Sequence, residues 1–182
     1  DKLKDQPGRK IIWILWAGAG NPFKIADMDL KRHGIEIATG GNILPAMVAY
    51  NQFPGMEGAT YYYYGFSRNQ ANLWLVTNHY IKHKSPPDFF TAGGFSSAMA
   101  LVTALKSTGG DTHTQRLIKT MEGMSFDTPK GTMTFRREDH QALQSMYHFR
   151  VAPGARPGTM ADLYLVREIK PHDMDLPIRN RR

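Results

Sequence analysis

The first 52 residues alternate between short apolar segments, glycine-rich loops and helical segments, and this alternation limits the fold more than any other feature. Residues 10–17 (KIIWILWA) are rich in β-branched and aromatic side chains, which predicts a buried strand, and residues 35–38 are expected to form a second short strand. A loop containing Gly and Asn follows each strand, and helices are then expected at about 22–33 and 43–52. Strands that alternate with helices predict an α/β fold with a parallel sheet flanked by helices.

The middle of the chain reads as one further strand and three helices. Four consecutive tyrosines, Tyr61 to Tyr64, favour a strand, with alternate side chains on opposite faces. Gly93 and Gly94 lie within the longest predicted helix and indicate close packing against a neighbour or a small kink. The predicted elements are a strand over 59–66 and helices over 68–83, 89–107 and about 112–122, with Ser67, Asp88 and either Asp111 or Thr112 as N-caps.

A turn marks the last third of the chain. Pro129 and Gly131 in the segment Phe126–Gly131 (FDTPKG) stand between an apolar run and alternating residues, which predicts a turn between two strands. Strands are expected at 132–135, 145–151 and 161–169, followed by a tail that ends in three arginines and one asparagine.

Several segments resemble, in the same order, the solute-binding proteins of bacterial branched-chain amino-acid ABC transporters, which have the type I periplasmic-binding fold. They are Trp13–Gly20, Pro87–Phe95, Leu117–Thr128, and FDTPKG with the Asp139-His140-Gln141-Ala142 that follows it. The resemblance spans about Lys10–Val151. Family members are about twice as long and have two lobes, so the chain looks like the C-terminal half of such a protein.

On this resemblance the chain divides into four segments. They are residues 1–66 as an α/β segment of the C-terminal lobe, 67–123 as helices of the N-terminal lobe, 124–170 as a return to the C-terminal lobe, and 171–182 as a basic tail. FDTPKG then lies at a return crossing between lobes. Without a partner lobe the helices of 89–123 should expose an apolar face, which favours dimerisation or swapping of a half-protein.

The resemblance implies a receptor and not an enzyme. It implies an extracytoplasmic substrate-binding component of an ABC importer, which closes its cleft on a small solute and is recognised by the transporter permease. It places the protein in the periplasm, or outside the cell and membrane-anchored in a Gram-positive host. The alternative is a ligand-sensing or small-molecule enzyme domain, because the same α/β fold serves other functions.

Ligands of open α/β sheets bind beyond the carboxyl ends of the strands. The loops at 16–21 and 39–42 are placed in this way, and their glycines would allow a ligand to approach the backbone closely. The tyrosine run could add a stacking wall. The candidate ligand-binding residues are Trp16, Gly18, Asn21, Gly41, Asn42 and Tyr63.

The second glycine loop departs from the family pattern. In the family an aromatic side chain of the first loop packs on the ligand, and a carboxylate of the second receives the ammonium of an amino acid. At the matching place residues 40–42 are Gly-Gly-Asn, without an acid. Among the solutes considered (an amino acid, an aromatic or aliphatic carboxylate, or an amide), the departure favours one that lacks an α-ammonium.

Other kinds of site find little support. The chain has no cysteine, which excludes disulfides, thiolate catalysis and cysteine-ligated zinc. His79 and His83 have the i, i+4 spacing of helical zinc ligands, but the residue after His79 is not glutamate, so an exposed helix face is expected and no metal. Gly18 and Gly20 begin a dinucleotide fingerprint that fails at Phe23, and no catalytic residue or cofactor is predicted.

Charge and hydropathy set the remaining expectations for the 182 residues. The net charge of +7 is scattered and accompanies no recognised binding motif, so no nucleic-acid partner is expected. We expect no membrane-spanning segment, because no apolar run reaches about 18 residues. The charged first ten residues do not resemble a signal peptide, so the chain is expected either to be trimmed or to begin inside a longer protein.

Overall fold

The chain folds into two compact units. The computed structural model describes residues 2–15, 22–40, 43–156 and 159–181. The first unit comprises Asp1–Thr60 and His148–Arg167, and the second comprises Tyr61–Tyr147 and Glu168–Arg182. The polypeptide therefore passes from one unit to the other three times, at 60/61, 147/148 and 167/168.

The elements of the described residues are eight strands and four α-helices. The strands are β1 (Lys10–Ile14), β2 (Ile35–Gly40), β3 (Glu57–Thr60), β4 (Ser125–Thr128), β5 (Gly131–Phe135), β6 (Ala142–Leu143), β7 (Met146–Val151) and β8 (Leu163–Ile169). The helices are α1 (Leu44–Ala49), α2 (Gln70–His83), α3 (Phe89–Ser107) and α4 (Thr114–Met121). Short 3-10 segments lie at Pro22–Met28, Leu30–His33, Tyr50–Gln52 and Pro171–Asp173.

A five-stranded sheet in the order β1-β2-β3-β7-β8 organises the first unit. β1 pairs with β2 in parallel, and β2 pairs with β3 in parallel, which confirms the predicted parallel arrangement for these three strands within a mixed sheet. Behind it the rings of Tyr50 and Phe149 stack with their centroids 6.2 Å apart. Met47 and Val151 are buried with them and extend this core.

The second unit contains α2, α3, α4 and an antiparallel sheet of β4, β5 and β6. The turn between β4 and β5 confirms the turn predicted at FDTPKG. β4 packs on α3, and Ala100, Phe126 and Met133 form a buried cluster between the helix and the sheet. Because of this packing residues 124–147 group with the helices that precede them, so the units divide the chain differently from the four segments expected from the resemblance. The assignment of those four segments to the N-terminal and C-terminal lobes stays a prediction.

The helix predicted over 22–33 is wrong as a single helix. The chain forms two 3-10 segments, because Asp29 between them adopts a left-handed conformation (φ 48°) that an α-helix does not accommodate. Gly34 ends the second segment with φ 64°, as expected for a glycine in this place. The next predicted helix, 43–52, is an α-helix only over α1 and finishes as the 3-10 segment Tyr50–Gln52.

The strand predicted over 59–66 is also wrong beyond Thr60. The tyrosine segment turns instead, with the Phe66 amide donating to the carbonyl of Tyr63 at 3.1 Å. The Tyr62 hydroxyl donates to Asn72 Oδ1 at 2.6 Å, which holds the segment against the first turn of α2. Asn69 caps this helix by accepting from the Asn72 amide, so the expected Ser67 cap lies too early.

Of the N-caps predicted for the next two helices, the cap of α3 is confirmed and the cap of α4 is wrong. Asp88 accepts from the Thr91 amide at 3.0 Å and caps α3, as predicted. α4 begins at Thr114, later than expected, because Asp111 accepts from the His113 amide in the preceding turn. A Cβ on Gly93 or Gly94 would meet no atom of the described residues within 4 Å, so close packing at these glycines is not observed there.

α3 corrects the expectation that no segment is long and apolar enough to cross a membrane. Within the described part of the chain this one helix has the length and composition of a span, and 22% of its window is buried. Length and composition are weak criteria, because a core helix of a soluble protein also satisfies them. Here α3 packs on β4 and α4 in the second unit.

Candidate ligand-binding site at the carboxyl ends of the parallel strands

The parallel register brings three chain segments to the same edge of the sheet in the first unit. Ile14 at the end of β1 lies beside Thr39, and Gly40 at the end of β2 lies beside Ala59. The carboxyl ends of β1, β2 and β3 therefore lie at one edge of the sheet. This is the edge at which open parallel sheets bind ligands.

Exposed apolar side chains lie beside Gly40 at this edge. Trp13 is 52% exposed and Leu15 is 71% exposed. A Cβ on Gly40 would stand 3.0 Å from Cζ2 of Trp13 and 3.5 Å from Cδ2 of Leu15, so both side chains pack over the glycine backbone. The three residues form an apolar surface, which we call the Trp13 surface.

Sequence reasoning missed the Trp13 surface because it treated residues 10–17 as a buried strand. β1 is the first strand in the sheet order, and its residues alternate between half-buried and exposed. Ile11, Trp13 and Leu15 share the exposed face, as the two-residue period of a strand requires. The spacing of these side chains was visible in the sequence, but the edge position of the strand was not.

Thr39 fixes the strand ends below this surface. Its buried hydroxyl donates to the carbonyl of Ile14 at 3.1 Å, which joins the last residue of β1 to β2. The same hydroxyl lies 3.2 Å from the Tyr50 hydroxyl in the core. The two strands are thus held together by side-chain as well as backbone hydrogen bonds at the point where the glycine loops begin.

Tyr63, the one candidate ligand-binding residue within the described part of the chain, lies in the second unit. Its side chain is 8% exposed, and its ring centroid is 4.6 Å from that of Tyr64 and 4.7 Å from that of Phe66. The ring also lies against Gly65, where a Cβ would stand 3.1 Å from Cε1. Tyr63 is therefore a packed member of an aromatic cluster, and its contact with a ligand stays a prediction.

The other five candidate ligand-binding residues lie outside the described residues. They are Trp16, Gly18, Asn21, Gly41 and Asn42. The described residues Leu15 and Gly40, which precede the two loops in the sequence, stand at the carboxyl edge of the sheet. The roles of the five candidate residues stay predictions.

The described residues contain no group of three or more His, Cys, Asp or Glu side chains that could hold a metal ion. His79 and His83 do lie side by side on α2, with ring centroids 4.6 Å apart. Nδ1 of His79 lies 2.7 Å from the carbonyl oxygen of Ser85, beyond the end of the helix.

A polar cavity of about 330 Å³ in the second unit is lined by residues that hold the C-terminal segment in place, among them Arg136, Asp139 and Leu176. Arg136 pairs with Asp139 through two hydrogen bonds, and this pairing lowers the pKa of the Asp139 carboxyl to about 2. Nη1 of Arg136 donates to the carbonyl of Leu176 at 2.6 Å. The guanidinium therefore fastens the C-terminal segment, which the sequence presented only as a solvated basic tail.

Comparisons with known proteins agree with this geometry. The model of the periplasmic binding protein family matches residues 24–156. The crystal structure of an ABC-type branched-chain amino acid transporter protein from Rhodopseudomonas palustris is 59% identical and superposes with a TM-score of 0.86. The match covers 99% of this chain and 48% of that protein. No curated protein sequence matches the chain.

More distant structures show the same fold. One is a solute-binding protein of an ABC transporter from Rhodopseudomonas palustris, in complex with 3,4-dihydroxybenzoic acid. It is 22% identical with a TM-score of 0.72, and the match covers 93% of this chain and 47% of that one. Another is a leucine-, isoleucine-, valine-, threonine- and alanine-binding protein from Brucella ovis. It is 16% identical with a TM-score of 0.72, and the match covers 92% of this chain and 45% of that one.

The chain spans about half the length of each of these structures. The expected type I periplasmic-binding fold is confirmed, and the 182 residues correspond to part of it. Because the family model matches well over half of the sequence, the chain belongs to the periplasmic binding protein family.

Proposed function

We propose that the full-length protein is the extracytoplasmic substrate-binding component of an ABC importer. It captures a small solute between two lobes and presents the closed form to the transporter permease. The observation that carries this proposal is the family match, together with the 59% identity to a protein named for branched-chain amino acid transport. Such a receptor needs no catalytic group and acts in the periplasm, or at the outer surface of a Gram-positive cell.

The proposed binding residues follow the two glycine loops at the carboxyl edge of the sheet. Trp16 would pack on the solute, Gly18 and Gly41 would let it approach the backbone, and Asn21 and Asn42 would offer hydrogen bonds. The described geometry supports the position of these loops, because β1 and β2 end beside each other. The Trp13 surface adjoins the same edge and supplies apolar area for a hydrophobic solute. Tyr63 is proposed as a further contact from the second unit.

We infer a solute that lacks an α-ammonium, such as an aromatic or aliphatic carboxylate or an amide. A buried ammonium requires a carboxylate or several acceptors. Residues 40–42 are Gly-Gly-Asn and supply no carboxylate. Asn42 offers a neutral carbonyl and an amide donor, which suit an uncharged or anionic group better than a cation.

Isothermal titration calorimetry of the full-length protein with benzoate, 3,4-dihydroxybenzoate, leucine and valine tests the function and the solute class. We expect an aromatic acid to bind and the two amino acids to bind at least tenfold more weakly. Tight binding of leucine or valine would overturn the solute class but support the receptor. Chemical turnover of a bound compound would contradict the receptor itself.

Asn42→Asp tests the role of the second loop. The new carboxylate supplies the missing partner for an ammonium and repels an anionic solute, so we expect leucine affinity to rise about tenfold and benzoate affinity to fall by a similar factor. Asn78→Asp, on an exposed position of α2, is the matched control and should leave both affinities unchanged. Equal affinities in the Asn42→Asp variant and the natural protein would remove Asn42 from the site.

A further inference from the structure

Lys130 is a buried lysine in a turn, where a lysine ordinarily extends into water. It lies between β4 and β5 and is 5% exposed. The turn is rigidly built: Thr128 Oγ1 donates to the carbonyl of Gly131 at 2.7 Å and accepts from the Lys130 amide at 3.1 Å. Gly131 has φ 99°, a conformation that favours glycine. The backbone is therefore fixed in a form that directs the lysine inward.

The Lys130 side chain ends among four residues of the second unit. Nζ lies 3.6 Å from the centroid of the Tyr61 ring and 5.7 Å from that of Tyr147. Nζ also donates to Oε1 of Gln144 at 2.9 Å. Glu168 is near enough for its carboxylate to act electrostatically on the amine. We call Lys130, Tyr61, Gln144, Tyr147 and Glu168 the lysine cluster.

Three members of the lysine cluster mark the places where the chain changes unit. Tyr61 is the first residue of the second unit after Thr60, and Tyr147 is its last residue before His148. Glu168 is the residue at which the chain enters the second unit for the last time. The amine thus lies near the rings at the second-unit ends of two connections, and it interacts electrostatically with Glu168 at the third.

We propose that Lys130 is a positioning residue of the hinge: its side chain holds the three connecting segments together at their second-unit ends, so that they move as one body. The proposal rests on the proposed receptor function, in which closure of a cleft on the solute requires a defined hinge. Hinge motion is carried by a few residues at the ends of elements, and fixing one end of each connection confines the bending to the other end. The lysine cluster would therefore govern how freely the lobes open.

The charge of Lys130 gives this role a pH signature. Burial lowers the pKa of Lys130 to about 7, although the carboxylate of Glu168 opposes that shift. The phenols of Tyr61 and Tyr147 do not titrate near this pH, because burial raises the pKa of both. Burial also acts to raise the pKa of Glu168, but hydrogen bonds from Lys170 and Ser145 and the charges of Lys170 and Lys130 together lower it, so that carboxylate stays charged.

The direction in which pH changes the packing of the lysine cluster follows from the shift in the pKa of Lys130. The folded-state pKa lies below the ordinary value of 10.5, so the packed cluster favours the neutral amine. Below about pH 7 the amine is protonated in both the packed and the opened cluster, and the packed cluster carries a buried charge. Between about pH 7 and 10 the opened cluster binds the proton more strongly, so packing becomes more favourable as the pH rises.

Hydrogen exchange of the full-length protein tests the proposal without a solute. Protection factors are compared at pH 6, 7, 8 and 9, which removes the intrinsic pH dependence of exchange. In the natural protein we expect protection of residues 61–64, 144–147 and 168–170 to change little below about pH 7 and then to rise together, by at least tenfold up to pH 9. A rise that begins at a different pH in each segment, or no change, would overturn the proposal.

Lys130→Met keeps the length of the side chain and removes the amine. We expect the variant to lose the shared pH profile, so that protection of the three segments no longer rises between pH 7 and 9, while the amides of α3 behave as in the natural protein. Lys119→Met, exposed on α4, is the control and should behave like the natural protein. A pH-dependent rise that persists in the variant, or one that is lost only at residues 128–131, would show a merely structural lysine. Failure of every tested solute to bind would count against the receptor function and leave the exchange result intact.

Discussion

Replacing Asn51 by aspartate should destabilise the full-length protein by about 3–5 kcal/mol. Asn51 is 0% exposed, and its Nδ2 group lies between 2.9 and 3.3 Å from four oxygen atoms of Arg156, Thr159 and Met160. Its Oδ1 accepts from the Asp162 amide at 3.1 Å. Aspartate keeps the shape but places a buried negative charge against carbonyl oxygens where a donor is needed. Urea denaturation followed by circular dichroism measures the loss.

The pH dependence of this loss separates charge from shape. A buried aspartate has a raised pKa, so the folded variant binds a proton more strongly than the unfolded variant. The deficit relative to the natural protein should therefore shrink as the pH falls, and its charge-dependent part should vanish below about pH 4.

Two further variants serve as controls for Asn51→Asp. Asn51→Ala leaves the loop carbonyls unpaired without adding a charge and should cost about 2–3 kcal/mol at every pH. Asn78→Asp, on the exposed side of α2, should change the stability by no more than about 0.5 kcal/mol. A pH-independent deficit in Asn51→Asp equal to that of Asn51→Ala would contradict the buried-charge explanation.

The sequence identified the features of the fold that depend on local periodicity. β1 and β2 were predicted because short β-branched runs precede glycine loops, and the β4–β5 turn was predicted because Pro129 and Gly131 separate two strands. The errors arose where a tertiary contact decides the conformation. Tyr62, for example, leaves the strand because its hydroxyl is bound by Asn72, which belongs to another element.

The candidate site was predictable only as a location. Parallel strands place their carboxyl ends together whatever their side chains, so the edge follows from the topology alone. The exposure of Trp13 could not be predicted, because it depends on β1 lying at the end of the sheet order. Lys130 escaped notice for a similar reason: a lysine between proline and glycine is typical of a solvated turn, and its burial depends on Tyr61 and Tyr147, which are distant in sequence.

Gly58→Ala should destabilise the protein by about 3 kcal/mol, although it adds a single methyl group. Gly58 lies in β3 directly beside Thr39 of β2, and a Cβ there would stand 2.6 Å from the carbonyl oxygen of Thr39. It would also stand 2.7 Å from Cζ of Phe149, whose ring stacks on Tyr50 in the core. Both distances are too short, and the nearer atom belongs to the backbone of a strand that cannot move without breaking the sheet. The measurement is again urea denaturation of the full-length protein.

A second substitution shows which of the two contacts dominates. Phe149→Leu shortens the ring and opens space on one side of Gly58, but it leaves the carbonyl of Thr39 in place. We therefore expect the double variant Gly58→Ala/Phe149→Leu to recover less than about 1 kcal/mol of the Gly58→Ala loss in a double-mutant cycle. Full recovery would show that the ring alone excludes the methyl group.

Gly94→Ala on α3, where a Cβ meets no described atom within 4 Å, should instead stabilise the protein by about 0.5–1 kcal/mol. Opposite signs for the same chemical change would show that the space at β3, and not the nature of the substitution, requires glycine beside the candidate binding edge.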